Sequence, residues 1–157
     1  RDITDKPISA KLSPNSDYLS VAEKCLQSGA DGLGCANTLG PGLSIDIKTR
    51  EVILAGTSGG ISGRALKPIN LLMTFEAFAR FACPIIAYGG ISTWEDAVEY
   101  ILAGASVLGL GTVFIGKSTE ESIKITKDIW AGIQSYLNGE NFHDLIGKAH
   151  LKNQERK

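Results

Sequence analysis

Apolar residues along the chain alternate between short continuous runs and longer stretches with helical spacing. The short runs predict strands at residues 7–13, 31–36, 84–88 and 106–110. Apolar residues that recur every three or four positions predict helices at residues 17–28, 68–82, 93–103 and 118–137. Near-continuous apolar strands that alternate with helices are typical of a parallel sheet covered by helices, so the pattern favours an α/β fold.

The ends of three predicted helices carry recognisable capping signals. Pro68 suits the first position of its helix, where the missing N–H costs nothing. Ser92 with Glu95, and Ser118 with Glu121, have the spacing of a capping box. These signals set the expected starts of the last three helices.

Residues 39–67 break the regular pattern. Alternation at 43–47 and 51–54 predicts a small hairpin inserted after the second strand, and the glycine-rich residues 57–63 are expected to form a mobile connector. The charged tail at 149–157 is expected to fray.

The chain is long enough for four strand–helix units. A complete (β/α)₈ barrel needs about 250 residues, and 157 residues supply only about half of one. Since the chain begins with Arg1 and its only methionine is Met73, we expect a fragment or a processed chain.

Composition narrows the functional classes. The net charge of −1 gives no basic surface for nucleic acid, and no apolar run approaches the ~18 residues of a membrane span. Three cysteines, without a CxxC pair, do not suggest a disulfide framework or a zinc site, so a reducing cytoplasm is the expected location. Cys25, Cys35 and Cys83 are interpreted as small buried apolar residues, and the two histidines as surface or packing residues.

Glycine pairs end two consecutive strands. Gly89-Gly90 follows the third strand and Gly111-Thr112 follows the fourth, each just before a helical segment. Backbone N–H groups are free there to bind an anion, and (β/α)₈ barrels often hold phosphate after their last two strands. Either pair alone is more simply an ordinary turn, but both together favour a phosphate site.

Polar side chains end the first two strands at the same edge. Lys11 is suited to balance an anionic ligand or an electron-rich ring, with a lysine that extends to the rim as an equal alternative. Asn37-Thr38 can donate to and accept from a planar heterocycle, although an Asx turn explains the pair read alone.

The motifs taken in order closely resemble dihydroorotate dehydrogenases. The segments that carry the resemblance are Lys11-Leu-Ser-Pro-Asn15, Gly29-Ala-Asp-Gly32, Asn37-Thr38, Gly59-Gly-Ile-Ser-Gly63, Lys67-Pro68, Ile85-Ile-Ala-Tyr-Gly-Gly-Ile91, Ala103-Gly-Ala-Ser106, Gly109-Leu-Gly-Thr112 and Leu145-Ile-Gly-Lys-Ala-His150. Residues 43–54 and the Gly-Thr pair look most like the soluble class I enzymes, particularly the NAD-linked B type and archaeal relatives. The resemblance implies that residues 1–157 are the C-terminal half of an FMN-binding (β/α)₈ barrel.

The resemblance also implies roles for nine residues in oxidising dihydroorotate to orotate, a step of de novo UMP synthesis. Hydride would pass from C6 of dihydroorotate to FMN while a base removes the C5 proton. Cofactor contacts are implied for Lys11, Ala36, Gly63, Gly89, Gly90, Gly111 and Thr112. Substrate contacts are implied for Asn37 and Thr38. FMN supplies the redox chemistry, and the protein binds and orients it.

The same resemblance implies that part of the enzyme lies outside this sequence. The family's catalytic base, Cys or Ser, lies on a loop before the Lys-Leu-Ser-Pro strand, so none is expected among these residues and turnover by the fragment alone is not expected. The N-terminal half of the barrel is therefore an expected partner, with oligomer formation through the unpaired sheet edges. The B type further implies a subunit that carries FAD and an iron–sulfur cluster.

Two other hypotheses stay open from the sequence. A non-catalytic half barrel would bind FMN or another phosphorylated ligand without oxidising dihydroorotate. A barrel enzyme with a different flavin-linked pyrimidine or ene reduction would differ in its substrate, and Asn37-Thr38 makes the orotate ring the preferred interpretation.

Overall fold

The computed structural model describes residues 3–154, which form a four-stranded parallel sheet, two smaller sheets and a set of helices. The strands in chain order are β1 (Ser9–Lys11), β2 (Gly32–Cys35), β3 (Leu39–Gly42), β4 (Ile45–Asp46), β5 (Glu51–Val52), β6 (Gly59–Ile61), β7 (Ile85–Tyr88) and β8 (Val107–Gly109). The helices are α1 (Tyr18–Gln27), α2 (Lys67–Phe81), α3 (Trp94–Ala103), α4 (Thr119–Leu137), α5 (Phe142–Leu145) and α6 (Lys148–Gln154). The predicted α/β class is confirmed.

The main sheet has the order β1-β2-β7-β8, and every neighbouring pair is parallel. Each helix packs on the next along the chain from α1 to α4, as crossover connections between parallel strands require. All four residues of β2 are buried, which explains its continuous apolar sequence. The strand at 7–13 is shorter than predicted because only Ser9–Lys11 pair with β2.

Two capping boxes were expected, and the structure places one of them one residue later. Ser118 accepts from the N–H of Glu121 at the start of α4, as predicted. The box of α3 is Thr93 with Asp96, so the prediction of Ser92 with Glu95 is wrong. The Ser92 hydroxyl instead donates to the Gly90 carbonyl, and the shorter Asp96 side chain reaches back to the helix start.

The inserted segment contains more sheet than its sequence indicated. The predicted hairpin exists as β4 and β5, limited to two residues in each strand. Around it, β3 pairs antiparallel with β6. Residues 57–63 are therefore not a free connector: Gly59–Ile61 form a strand that ties the base of the insertion together.

The tail is also more ordered than expected through residue 154. α6 covers Lys148–Gln154, and its His150 ring stacks on Phe75 with 3.8 Å between ring centroids. The His150 ring also makes a hydrogen bond with the Ala103 carbonyl. The charged sequence gave no sign of this contact, and the fraying predicted at 149–154 is wrong. Residues 155–157 lie outside the described part.

Two apolar clusters hold the helices on the sheet. One fills the space between the first strands and α1 and α2, around Leu33, Met73 and Ile85. The other joins α3 and α4 to the last strands, around Tyr100 and Ile101. Within residues 3–154, no helix is both long and apolar enough to cross a membrane.

Candidate functional site

A cavity of about 150 Å³ opens at the carboxyl ends of the main-sheet strands. Its lining comes from the last residues of β1, β7 and β8, the segment after β2, the segment after β6, and the first turns of α2. The carboxyl ends of parallel strands share one edge of the sheet, and this edge is where such folds place their ligands.

All nine residues singled out from the sequence line this one cavity. They are Lys11, Ala36, Asn37, Thr38, Gly63, Gly89, Gly90, Gly111 and Thr112. Their five separate stretches of sequence span about a hundred residues, so the fold itself brings them together. Which part of a ligand each residue contacts stays a prediction.

The Gly89-Gly90 turn needs glycine at both positions. Gly89 has φ 107° and Gly90 has φ 73°, a region that residues with a Cβ rarely adopt. A Cβ on Gly89 would lie 2.3 Å from Asn70 Nδ2, and one on Gly90 would lie 2.9 Å from the Gly63 carbonyl oxygen. The backbone therefore lies against α2 and the segment before it, with no room for a side chain.

The turn after β8 is built differently. Gly111 has space around it, because a Cβ there would meet nothing within 4 Å. Thr112 begins a single turn of 3-10 helix, Thr112–Phe114, with no side-chain cap. Its hydroxyl faces the segment before α2, since a Cβ on Gly63 would lie 3.8 Å from Thr112 Oγ1.

Both turns that line the cavity carry backbone donors without a partner in the described chain. No hydrogen bond within residues 3–154 uses the N–H of Gly90, Ile91, Gly111 or Thr112. Such uncommitted N–H groups form a site for an anion when they face a shared space. Lys11 is the one charged residue among those that line the cavity, and it adds a positive charge. The arrangement suits a ligand with a phosphate or a carboxylate.

Lys11 ends β1 with its ammonium 5.0 Å from the centre of the Tyr88 ring. Glycines on both neighbouring strands make room for that ring: Cβ atoms on Gly34 and Gly109 would lie 3.3 and 2.2 Å from its carbons. The aromatic face can attract the ammonium group. Tyr88 thus supports the lysine at the floor of the cavity.

The segment after β2 presents a backbone bend and two polar side chains. Ala36 is buried and follows a cis peptide bond from Cys35. Asn37 is exposed, and its own N–H donates to the Leu12 carbonyl. Thr38 packs against Gly60 of β6, where a Cβ would come within 2.3 Å of the Thr38 hydroxyl oxygen. The Asn37 side chain is left open to the cavity.

An ion pair fixes the helices behind the first turn. The Lys67 ammonium contacts Asp96 at 2.5 Å and Glu99 at 3.0 Å. Burial lowers the pKa of Lys67, but its hydrogen bonds to Asp96 and Glu99 outweigh this and hold the pKa above its ordinary value. Burial likewise raises the pKa of Asp96, and the hydrogen bonds from Lys67, Ser92 and Thr93 outweigh it. Both groups stay charged at neutral pH.

The cysteines contribute no reactive thiolate at this site. Cys35 is fully buried beside the cavity, and burial, with Cys83 nearby, raises its pKa to about 12. A thiol with that pKa is neutral at pH 7 and a poor nucleophile. Among the described residues, no cluster of three or more His, Cys, Asp or Glu side chains could hold a metal ion.

Two residues near the site were missed in the sequence. Asn70 on α2 lines the cavity, and Tyr100 on α3 reaches the Gly89 carbonyl from behind. Asn70 lies in the helical stripe of buried positions with Leu66, Met73 and Ala77, and a polar residue in such a stripe was the available signal. Tyr100 gave no comparable signal, since a tyrosine on an apolar face is ordinary core.

The fold and site together describe a parallel α/β protein with a cleft at its strand ends, and comparison with known proteins supplies the family. The family model described as "Dihydroorotate dehydrogenase" matches residues 1–137. The chain belongs to the dihydroorotate dehydrogenase family.

Individual relatives agree. The chain is 36% identical over 154 residues to the protein named dihydroorotate dehydrogenase B (NAD(+)), catalytic subunit, of Methanothermobacter thermautotrophicus, covering 96% of this chain and 50% of that protein. It is 42% identical over 152 residues to the Geotalea daltonii protein of the same name, covering 94% of this chain and 48% of that protein. It is 42% identical over 151 residues to the protein named putative dihydroorotate dehydrogenase A (fumarate) of Aquifex aeolicus, covering 92% of this chain and 47% of that protein. The chain spans about half the length of these relatives.

Proposed function

We propose that this chain forms the C-terminal half of an FMN-binding (β/α)₈ barrel that oxidises dihydroorotate to orotate in pyrimidine synthesis. The observation that carries the proposal is the convergence of all nine family-type residues on one cavity at the strand ends. Family membership supplies the reaction class.

The residues present fit the phosphate end of FMN. Four uncommitted N–H groups and the Thr112 hydroxyl surround a space that the two glycine turns leave clear. Donors at neighbouring strand ends can share the oxygens of one phosphate group. When bound, FMN would accept the hydride from the substrate. The turns at Gly89-Gly90 and Gly111-Thr112 would bind and orient it.

Lys11, Asn37 and Thr38 would serve the reacting end of the site. Lys11 extends from the end of β1 beside the Tyr88 ring, where its charge can stabilise negative charge that develops on the flavin ring. Asn37 presents an amide that can both donate to and accept from a pyrimidine ring. Ala36 and Gly63 would line the cofactor with backbone alone.

The catalytic base and the other half of the barrel would come from outside these residues. β1 and β8 each pair on one side only, so both outer edges of the main sheet can accept a further strand. The chain also spans only about half of its relatives. Cys35, the nearest thiol, is too buried to act as the base. Two relatives are named catalytic subunits, which supports a separate electron-transfer subunit.

Denaturing intact-mass spectrometry of the isolated protein tests how the barrel is completed. We expect either a second polypeptide of comparable size or one longer chain that contains this sequence. A single 16.7 kDa species that nevertheless oxidises dihydroorotate would contradict the need for a missing half. A single species that binds flavin without turnover would favour the non-catalytic alternative.

Anaerobic reduction of bound flavin by dihydroorotate tests the reaction and the role of Lys11. We expect bleaching of the flavin absorbance with the unaltered protein, and a rate roughly a hundredfold lower for Lys11→Ala, the order of effect seen when one charge-stabilising donor is lost. Lys124→Ala on the exposed face of α4 is the matched control. Unchanged reduction in Lys11→Ala would remove that residue from the mechanism.

A further inference from the structure

Two consecutive carbonyl groups at the end of β7 are held from behind by buried side chains. Asn70 Nδ2 donates to the Tyr88 carbonyl at 2.9 Å. The Tyr100 hydroxyl donates to the Gly89 carbonyl at 2.7 Å. The two donors come from different helices, α2 and α3, so the peptide groups on both sides of Gly89 are fixed independently.

Both donors are fully buried, with 0% of their surface exposed. Burying a hydroxyl and a carboxamide costs free energy unless each makes a hydrogen bond. The Asn70 Oδ1 has no hydrogen-bond partner among residues 3–154, so this side chain is not explained by packing alone. Its contact with the Tyr88 carbonyl is the interaction that the carboxamide does make.

Fixing these carbonyls also fixes the direction of the following N–H groups. The peptide bonds on both sides of Gly89 are trans, because the cis bonds lie elsewhere in the chain. In a trans peptide the C=O and the N–H point in opposite directions. With both carbonyls turned toward α2 and α3, the N–H groups of Gly89 and Gly90 point away from those helices. The Gly89 N–H is used in the parallel pairing of Tyr88 with Gly109, whereas the Gly90 N–H has no partner within residues 3–154 and Gly90 lines the cavity.

The carbonyl of Gly90 is held as well, by the Ser92 hydroxyl at 3.3 Å. The Lys67–Asp96 contact joins the start of α2 to the start of α3, so the two supporting helices are held together. Asn70 and Tyr100 are thus mounted on two helices that an ion pair joins, and only Ser92 donates from a loop.

We propose that Asn70 and Tyr100 are positioning residues that hold this turn so that the Gly90 amide faces the phosphate of a phosphorylated ligand. The inference rests on the proposed function in taking FMN as that ligand. It adds that the preference for a phosphate ester over the same molecule without phosphate depends on two side chains behind the turn. Neither side chain needs to touch the phosphate.

The test compares FMN with riboflavin, which has the same ring and side chain but no phosphate. Dissociation constants are measured by flavin fluorescence for the protein as isolated, with any companion polypeptide, and for Tyr100→Phe and Asn70→Leu. Each variant keeps a side chain of similar size and loses the hydrogen bond. Tyr136→Phe on exposed α4 is the control. We expect each variant to lose about three- to tenfold of the preference for FMN, the range of one hydrogen bond, while riboflavin binding is unchanged.

The ratio of the dissociation constants for riboflavin and FMN separates a positioning role from a general loss of structure. A variant that merely loosens the fold weakens both flavins together and leaves their ratio unchanged, which would overturn the inference. An unaltered protein that prefers FMN, with variants that keep the same preference, would also overturn it while leaving the proposed function intact. An unaltered protein with no preference for FMN would overturn both.

Amide NMR spectra with inorganic phosphate give a second measurement that does not depend on flavin. We expect the N–H resonance of Gly90 to move on addition of phosphate in the unaltered protein and in Tyr136→Phe. The shift should be smaller in Tyr100→Phe and Asn70→Leu. Equal shifts in all four proteins would contradict the assigned role.

Discussion

The two glycine turns at the end of the sheet look alike in sequence but differ in how the protein holds them. Gly89-Gly90 lies in positive φ, against α2 and the segment before it, with hydrogen bonds to three successive carbonyl groups. Gly111 has a negative φ of −141° with ψ −81°, and open space where a side chain would stand. One turn is preformed by its surroundings, and the other is open.

This difference follows from the positions of the two strands. β7 lies inside the sheet with neighbours on both sides, whereas β8 lies at its edge. Val107 of β8 is 53% exposed, although it belongs to an apolar strand. The open turn is thus next to the edge where we propose that the rest of the barrel pairs. On this proposal the preformed turn offers its donors without further support, and the open one would be completed by its neighbours.

Gly90→Ala should break the preformed turn and have the largest effect on stability. A Cβ at this position would be forced into positive φ and would lie 2.8 Å from Lys67 Cβ and 2.9 Å from the Gly63 oxygen. Strain of about 1–2 kcal/mol and overpacking of about 1–3 kcal/mol together predict a loss of about 3 kcal/mol. Urea denaturation followed by circular dichroism would measure it. A loss below about 1 kcal/mol would show that the turn can move.

Lys67→Met should cost less, because it leaves the turn intact and removes only the link behind it. It leaves the carboxylate of Asp96 buried without its cation, and breaking a fully buried pair costs about 3–5 kcal/mol. Asp96 keeps two backbone donors, and Lys67 retains partial exposure, so we expect about 2 kcal/mol near neutral pH. Lys124→Met, which breaks an exposed pair with Asp128, should leave the midpoint unchanged.

The pH dependence identifies the ion pair as the source of that loss. The pKa of Asp96 is lowered in the fold, so its contribution is present above the ordinary aspartate value of about 4 and lost as pH falls through the lowered value. The pKa of Lys67 is raised, so its contribution is present below about 10.4 and lost as pH rises through the raised value. The difference between wild type and Lys67→Met should therefore be largest between about pH 5 and 9. A difference that does not vary with pH would contradict this origin.

Local sequence patterns were sufficient to predict the main-sheet strands and residues that line the cavity. Continuous apolar runs located all four main-sheet strands, and motifs at the strand ends located seven residues around one cavity, to which the family resemblance added Ala36 and Gly63. Local patterns failed where partners are distant in the chain. The pairing of β3 with β6 joins glycine- and proline-containing segments with weak strand propensity, and only their meeting in space makes them a sheet.

The missed positioning residues have the same explanation. Asn70 donates to a carbonyl 18 residues later in the chain, and Tyr100 donates to a carbonyl 11 residues earlier. No local sequence pattern reveals contacts at such separations. The capping box of α3 was misplaced by one residue because Ser92 and Thr93 are both good capping residues, followed at the right spacing by Glu95 and Asp96. The choice depends on the Lys67 ammonium, which lies beside Asp96.

Of the three substitutions, Gly111→Ala should have the smallest effect on stability. It tests directly whether the open turn, unlike the preformed one, can accept a side chain. Its Cβ would meet no atom of the described chain, so the cost is limited to the backbone, whose φ of −141° and ψ of −81° lie outside the regions that residues with a Cβ favour, and we expect a loss of about 1 kcal/mol. The same methyl group would stand beside the uncommitted N–H groups of Gly111 and Thr112.

A loss of FMN binding in Gly111→Ala would then come from contact between the methyl group and the ligand, and not from unfolding of the protein. We expect FMN to bind more weakly while the loss of stability stays at about 1 kcal/mol, the cost of backbone strain, because a bound ligand would occupy the space that the methyl group fills. The opposite pattern, a loss of stability well above that value with unchanged FMN affinity, would mean that a protein segment covers Gly111. The open turn would then belong to the interface with the rest of the barrel, and the phosphate would depend on the Gly89-Gly90 turn alone.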